Sequence, residues 1–108
     1  GAPMEYKVRP VPACKALYDL VIEELQKRNS DIVRAWEIIA KQHEAGGVPS
    51  NARPSKKPKH KCYDQFEISR HSVRFQYYDD TDEKTLWITW IEDPDHWSDY
   101  RLAFGQTS

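Results

Sequence analysis

Cysteines, glycines and long apolar runs are all scarce in this sequence. Its 108 residues include two cysteines, Cys14 and Cys62, and four glycines. No apolar run approaches the roughly 20 residues that a membrane-spanning helix requires, and the N-terminus lacks the apolar core of a signal peptide. We therefore expect a cytoplasmic protein with no membrane contact, whose thiols stay reduced.

Potential metal ligands are equally sparse. His60 and Cys62 are separated by one residue, but a structural zinc site needs about four ligands at defined spacings, and no such set surrounds them. We expect neither a metal nor another cofactor. The chain length corresponds to one small domain, 1–108, and Gly1–Pro3 before Met4 is typical of a tag remnant.

Charge is segregated along the chain although its total is close to zero. The formal net charge is −1 and the pI is about 6.5, so no overall field attracts nucleic acid. Acidic residues cluster at 79–83 and 92–95. The proline-rich segment 48–61 has no periodicity, and we interpret it as a long basic loop, of a length that is often functional. Its cations are Arg53, Lys56, Lys57, Lys59 and Lys61.

Two stretches have the three- and four-residue spacing of amphipathic helices. The first covers Ala13–Arg28. The second follows the capping segment Asn29–Asp31 and ends at Ala45–Gly47, where glycine adopts the left-handed C-cap at low cost. Because the two are nearly contiguous, we expect an antiparallel helix hairpin. The stripes are Cys14, Leu17, Tyr18, Val21, Ile22 and Leu25 in the first helix, and Ile32, Ala35, Trp36 and Ile39 in the second.

Alternating apolar and polar residues predict four strands. The first is Met4–Val11, and the others are Tyr63–Ser69, Ser72–Asp80 and Thr85–Asp93. Short turns join the last three into an antiparallel meander. The order strand, helix, helix, strand, strand, strand predicts an α+β two-layer sandwich with both helices on one face of the sheet.

Strand parity assigns each side chain to one face of this sheet. We expect the helices to cover one face and a polar face with aromatic residues to lie opposite. The residues expected to face the helices are Phe66, Val73, Phe75, Tyr77, Leu86, Ile88 and Trp90. Those expected on the polar face are Glu67, Arg74, Gln76, Tyr78, Trp87, Thr89 and Ile91.

The second face has the side chains of an RNA-binding surface. Lysine and arginine neutralise phosphates, and exposed aromatic rings stack on splayed bases, worth roughly 1–3 kcal/mol per base. A histidine beside an arginine and a glutamate can transfer a proton in phosphodiester cleavage. The RNA 2′-hydroxyl would be the nucleophile, so no metal is needed. Residues that can join this face from adjoining segments are Arg70, His71, His96, Trp97, Tyr100 and Arg101.

Ordinary structural roles stay open for these residues. The basic segment can be a solvated linker, and Trp87 can close a small second core or a dimer interface. His71 can be an exposed turn residue, and Glu67 with Arg74 can form a cross-strand ion pair.

Two further features are expected to have no part in chemistry. His43, near the end of the second predicted helix, would complement the helix dipole. The acidic segment 79–83 would be a solvated hairpin end, because a calcium loop needs a better-defined ligand spacing.

The arrangement resembles the RelE/ParE superfamily of bacterial toxins. The resemblance lies in the strand–helix–helix–three-strand order, the basic loop before the hairpin, and the residue pattern of "YDQFEISRHSVRFQYYDD" and "KTLWITWIED". Tyr63–Ile68 is similar to the first strand of the family pattern and Ser72–Tyr78 to the second, which places Arg74 at the strand arginine. The resemblance covers most of the chain and implies a RelE-like fold.

The resemblance also implies a function. The implied function is that of the toxin in a toxin–antitoxin pair. Such a toxin cleaves mRNA without a metal, in association with the ribosome. The implied partners are RNA, the ribosome and a cognate antitoxin protein. The implied catalytic residues are Arg70, His71, Arg74, His96 and Tyr100, and the implied RNA-binding residues are Lys56, Lys57, Lys59, Lys61, Tyr78 and Trp87.

Two other functions stay open. ParE-like members poison gyrase, and a phage or mobile-element protein can bind a protein partner through the same face, with Tyr78, Trp87 and Trp97 as anchors. The low pI favours this alternative. The second alternative is an orphan domain whose functional site is degraded. A neighbouring reading frame for a small DNA-binding protein would support the toxin pair.

Overall fold

Two α-helices and five strands form in the residues that the computed structural model describes, which are 6–28, 31–50, 52–54, 62–67 and 73–92. For 53–54 and 62–67 it describes the backbone alone. In chain order the elements are β1 (Lys7–Pro10), α1 (Lys15–Lys27), α2 (Ile32–Glu44), β2 (Arg53–Pro54), β3 (Cys62–Glu67), β4 (Arg74–Asp80) and β5 (Thr85–Glu92).

The strands form one mixed sheet in the order β1-β5-β4-β3-β2. β1 is parallel to β5, with Val8 opposite Leu86, and the other neighbours are antiparallel. The predicted α+β class, with a strand and two helices before the remaining strands, is confirmed. β2 was not predicted; it lies within 48–61, the segment interpreted as a loop, and pairs with β3.

The helices begin and end at residues suited to those positions. A 3-10 turn at Pro12–Cys14 leads into α1, and proline is tolerated there because the first turn needs no backbone N–H donor. Asp31 caps α2, since its Oδ1 accepts a hydrogen bond from the backbone N of Arg34 at 3.3 Å. α2 ends before Gly46, whose φ of 87° lies in the left-handed region that favours glycine.

The apolar stripes of both helices bury against one face of the sheet, here called the inner face. Trp36 of α2 packs edge-on against Phe75 and Tyr77 of β4, with ring centroids 5.2 and 5.4 Å apart. Each fully buried aliphatic side chain contributes roughly 1.5–3 kcal/mol relative to exposure. The largest fully buried residues are Val21, Leu25, Ile32, Ile39, Val73, Phe75, Tyr77, Leu86, Ile88 and Ile91.

A β-bulge in β5 changes which side chains reach the inner face. Tyr77 lies opposite Ile88 and Gln76 lies opposite Trp90, so Thr89 is an extra residue in β5. Trp90 is therefore 41% exposed, whereas Ile91 is 1% exposed. The prediction that Trp90 faces the helices and Ile91 faces away is wrong, because strict alternation fails at Thr89.

A membrane span is not found within the described ranges, where neither helix is both long and apolar enough to cross a bilayer. Cys14 is buried and unpaired, and burial raises the pKa of its thiol. It packs as a small apolar residue at the start of α1.

Candidate functional site

The sheet has a second face, here called the outer face, built mainly from β4 and β5. Along β4, Val73, Phe75 and Tyr77 point into the core, so Arg74 and Gln76 are exposed on the opposite side. Tyr78 follows on the same side and is half-buried. β4 and β5 are also inner strands in the sheet order, so this face lies at the middle of the sheet rather than at an edge.

Two tryptophans of β5 lie beside these residues. Trp87 is opposite Tyr78, and Trp90 is opposite Gln76. The backbone register places Glu92 opposite Arg74 at the end of the pair. Cross-strand neighbours have Cβ atoms about 4.5–5.5 Å apart, so these side chains form one continuous strip.

Asp80 orients Trp87. The indole Nε1 of Trp87 donates a hydrogen bond to Asp80 Oδ2 at 3.3 Å. The other oxygen of Asp80, Oδ1, accepts from the backbone N of Glu83 at 3.1 Å in the turn between the strands. The half-buried indole of Trp87 is therefore tied to the turn.

β1 adds positive charge beside Trp87. Its parallel register places Arg9 next to Trp87 and Lys7 next to Thr85, and both cationic residues are exposed. Arg9 was not predicted to lie on this face, because the residues of a short strand do not show which strand it pairs with. Arg74 places a further cation on β4.

Three of the predicted site residues are brought together by the outer face. Arg74, Tyr78 and Trp87 share it, as strand parity predicts. Glu67 is opposite Arg74 in the β3–β4 backbone register, and its side chain is not described. The remaining predicted site residues lie outside the described residues: Lys56, Lys57, Lys59, Lys61, Arg70, His71, His96 and Tyr100.

A second polar group of residues is buried between the helices and the inner face. Tyr6 donates a hydrogen bond from its hydroxyl to Asp79 Oδ1 at 2.9 Å. Asp79 Oδ2 lies 3.5 Å from His43 Nδ1, and His43 Nε2 lies 2.8 Å from the Tyr77 hydroxyl. We call these residues the buried polar cluster, which joins the residue before β1 to α2 and β4.

The protonation of this cluster follows from burial. Desolvation lowers the pKa of His43, although the nearby Asp79 carboxylate opposes that shift. Burial and the hydrogen bond to Asp79 raise the pKa of Tyr6 to about 12. A neutral His43 that donates from Nδ1 to Asp79 and accepts at Nε2 from Tyr77 matches these contacts.

Two expectations about these residues are corrected. His43 is 5% exposed and Asp79 is 7% exposed, so His43 does not serve merely as a surface charge at a helix end and Asp79 is not part of a solvated turn. Both were misassigned because local sequence gives no sign of their shared contact. Asp82 and Glu83 are exposed in the turn, as expected.

An apolar cavity of about 180 Å³ lies between the helices and β1. Tyr18 and Ile22 of α1, Val33 and Trp36 of α2, and Val8 of β1 line it. In the part of the chain that the structure describes, no group of three or more potential metal ligands is found.

Comparison with protein-family models, with curated proteins and with solved structures found no match for this chain.

Proposed function

We propose that this chain is a RelE/ParE-type toxin, a metal-independent endoribonuclease that acts on mRNA in the cytoplasm and is held in check by a cognate antitoxin. The observation that carries the proposal is the outer face. It presents Arg74, Trp87 and Trp90 together on the side of the sheet opposite the helices.

The architecture supports the proposal. A strand and two helices precede the remaining strands, as the resemblance implies, with the two-residue β2 added before the three strands β3, β4 and β5. Both helices bury their apolar stripes against the inner face, for example through the contact of Trp36 with Phe75. The helix layer therefore leaves the outer face for a substrate.

The chemistry of the outer face suits RNA. Arg74 is exposed, so its guanidinium can pair bidentately with a phosphate and offset the negative charge on the nonbridging phosphoryl oxygens during attack by the 2′-hydroxyl. Arg70 and His71 precede Arg74 closely in the sequence. His71 is the proposed proton-transfer residue, and Arg70 is proposed to add positive charge that stabilises the transition state. Association with the ribosome would present mRNA as a single strand to this face.

Expression in a bacterial host tests the proposal. The unmodified chain is expected to arrest growth and translation, and Arg74→Ala is expected to restore growth. Arg34→Ala is the matched control, because Arg34 is an exposed arginine of α2, on the helix layer. Circular dichroism would show that both variants are folded. An Arg74→Ala variant that is folded and still fully toxic would contradict the site assignment.

A second candidate function is binding of a protein partner, either a gyrase-type target or a phage or mobile-element protein. The outer face also contains carboxylates, Asp80 beside Trp87 and Glu92 opposite Arg74, which repel phosphate. Aromatic residues and arginine also dominate protein hot spots. Measuring RNA binding by the chain at several salt concentrations separates the two functions, since RNA affinity falls steeply with salt. Absence of RNA binding at low salt would favour a protein target.

A further inference from the structure

We infer that the bulge at Thr89 builds a two-tryptophan stacking site for unpaired bases, which makes single-stranded RNA the ligand of the outer face. This inference rests on the proposed function and deepens it. It adds Trp90, which the alternation of β5 had assigned to the core.

The bulge decides where Trp90 points. In a regular strand, residues two apart share a face, so Trp87, Thr89 and Ile91 would lie together and Trp90 would be buried. The extra residue shifts the parity, so Trp87 and Trp90 share the outer face while Ile88 and Ile91 both enter the core. The Thr89 hydroxyl donates to the backbone carbonyl oxygen of Gln76 at 3.3 Å, which ties the bulge to β4.

Packing of the core does not explain the position of Trp90. The residue is 41% exposed, while its neighbour Ile91 fills the core position at 1% exposure. The other exposed large apolar residues of the described ranges lie off the sheet: Val33 and Ile38 on α2, and Val48 after it. A large exposed aromatic ring on an inner strand is what base recognition on a sheet requires.

The spacing of the two rings suits neighbouring bases. Their cross-strand partners, Gln76 and Tyr78, are two residues apart on β4, which corresponds to about 6.6–6.8 Å along a strand. Sheet surfaces with aromatic residues on inner strands stack two or three successive bases in this way. Gln76 has an amide that can both donate and accept hydrogen bonds at a base edge.

Positive charge lies at both sides of the two rings. Arg9 is next to Trp87 on β1, and Arg74 is two residues from Gln76 on β4. A single strand whose bases lie on Trp87 and Trp90 would pass its phosphates near these arginines. A duplex keeps its bases paired and stacked, so it cannot use the tryptophans.

A binding experiment with the whole chain tests the inference. A short fluorescein-labelled oligouridylate and an RNA duplex of equal length serve as probes, measured by fluorescence anisotropy at low and moderate salt. Trp90→Ala should weaken oligouridylate binding roughly fivefold to 150-fold, the equivalent of one lost base stack. Trp90→Phe should retain most of the affinity, and Ile38→Ala, at an exposed apolar residue of α2, should leave it unchanged.

The outcomes separate this inference from the proposed function. If the unmodified chain binds the single strand but Trp90→Ala binds as tightly as Ile38→Ala, or if the duplex binds equally well, the stacking site is wrong and the nuclease proposal still stands. If the unmodified chain binds neither RNA at low salt, both fail and a protein partner is favoured. Selective binding of the single strand with loss in Trp90→Ala supports the inference, even if Arg74→Ala remains toxic.

Discussion

The Nε2 atom of His43 lies 2.8 Å from the hydroxyl oxygen of Tyr77, and this buried hydrogen bond joins α2 to β4. The rings of the two residues meet nearly edge to face, with centroids 5.3 Å apart. The chain of contacts continues from His43 to Asp79 and from Asp79 to Tyr6. Buried polar groups are costly unless they are paired, so this cluster favours the observed packing of α2 against β4.

The first prediction concerns acid stability. Burial lowers the pKa of His43 below its ordinary value of 6.5, so the unfolded chain binds more protons in mildly acidic solution. The stability that neutral His43 contributes is complete above about pH 6.5 and is lost as the pH falls through the folded pKa. Urea unfolding midpoints measured between about pH 8 and pH 5 should decline accordingly.

His43→Gln is the matched variant for this prediction. It retains a polar side chain but no longer titrates, so its stability should be lower at high pH and should depend less on pH below 6.5, the ordinary pKa of the histidine that it lacks. An unchanged pH dependence in His43→Gln would show that other groups cause the acid sensitivity.

The second prediction concerns the hydroxyl of Tyr6. Tyr6→Phe removes the donor to Asp79 Oδ1 and leaves a buried carboxylate oxygen without that hydrogen bond, which should reduce the free energy of unfolding by about 1–3 kcal/mol. Tyr18→Phe is the control, because Tyr18 is half-buried and lies outside the cluster. Equal losses in the two variants would contradict the role given to the Tyr6–Asp79 bond.

The third prediction concerns alkaline stability. The pKa of Tyr6 is raised from 10.0 to about 12, so its contribution to stability is present below about pH 10 and is lost as the pH rises toward 12. Spectroscopic titration of tyrosinate in the folded protein should therefore show a late-ionising tyrosine that is absent from Tyr6→Phe. A titration curve that keeps this component in the variant would assign it to another tyrosine.

The fourth prediction uses the two glycines after α2. Gly46 has a φ of 87°, whereas a Cβ at Gly47 would meet only Gln42 O at an ordinary 3.5 Å. Gly46→Ala should destabilise the protein by roughly 1 kcal/mol, because an L side chain is strained in the left-handed region. Gly47→Ala should be tolerated better in thermal unfolding, and the reverse order would be inconsistent with this C-cap.

The fifth prediction concerns the start of α2. Asp31→Ala removes the side chain that accepts from the backbone N of Arg34 and should cost about 0.5–2 kcal/mol. Asp19→Ala removes only an exposed ion pair with Lys15 on α1, worth about 0.3–0.5 kcal/mol. Chemical denaturation of both variants measures the difference, and a larger loss in Asp19→Ala would argue against the capping role.

The candidate site could be predicted in part. Arg74, Tyr78 and Trp87 were assigned to one face by strand parity alone, and they share that face. Trp90 was misassigned because a bulge has no reliable local signature in "TLWITWIED". Arg9 was missed because its place beside Trp87 depends on which strand β1 pairs with.

Local residue patterns account for both helices of this protein and for most of its strands. Helical periodicity predicted α1 and α2, alternation predicted β4 and β5, and glycine ended α2 at Gly46, because these features depend on residues close together in the chain. Three features arise only when the chain folds: the parallel pairing of β1 with β5, the bulge at Thr89 and the burial of His43 beside Asp79. Those features depend on contacts between residues far apart in sequence, whose energies local patterns do not encode.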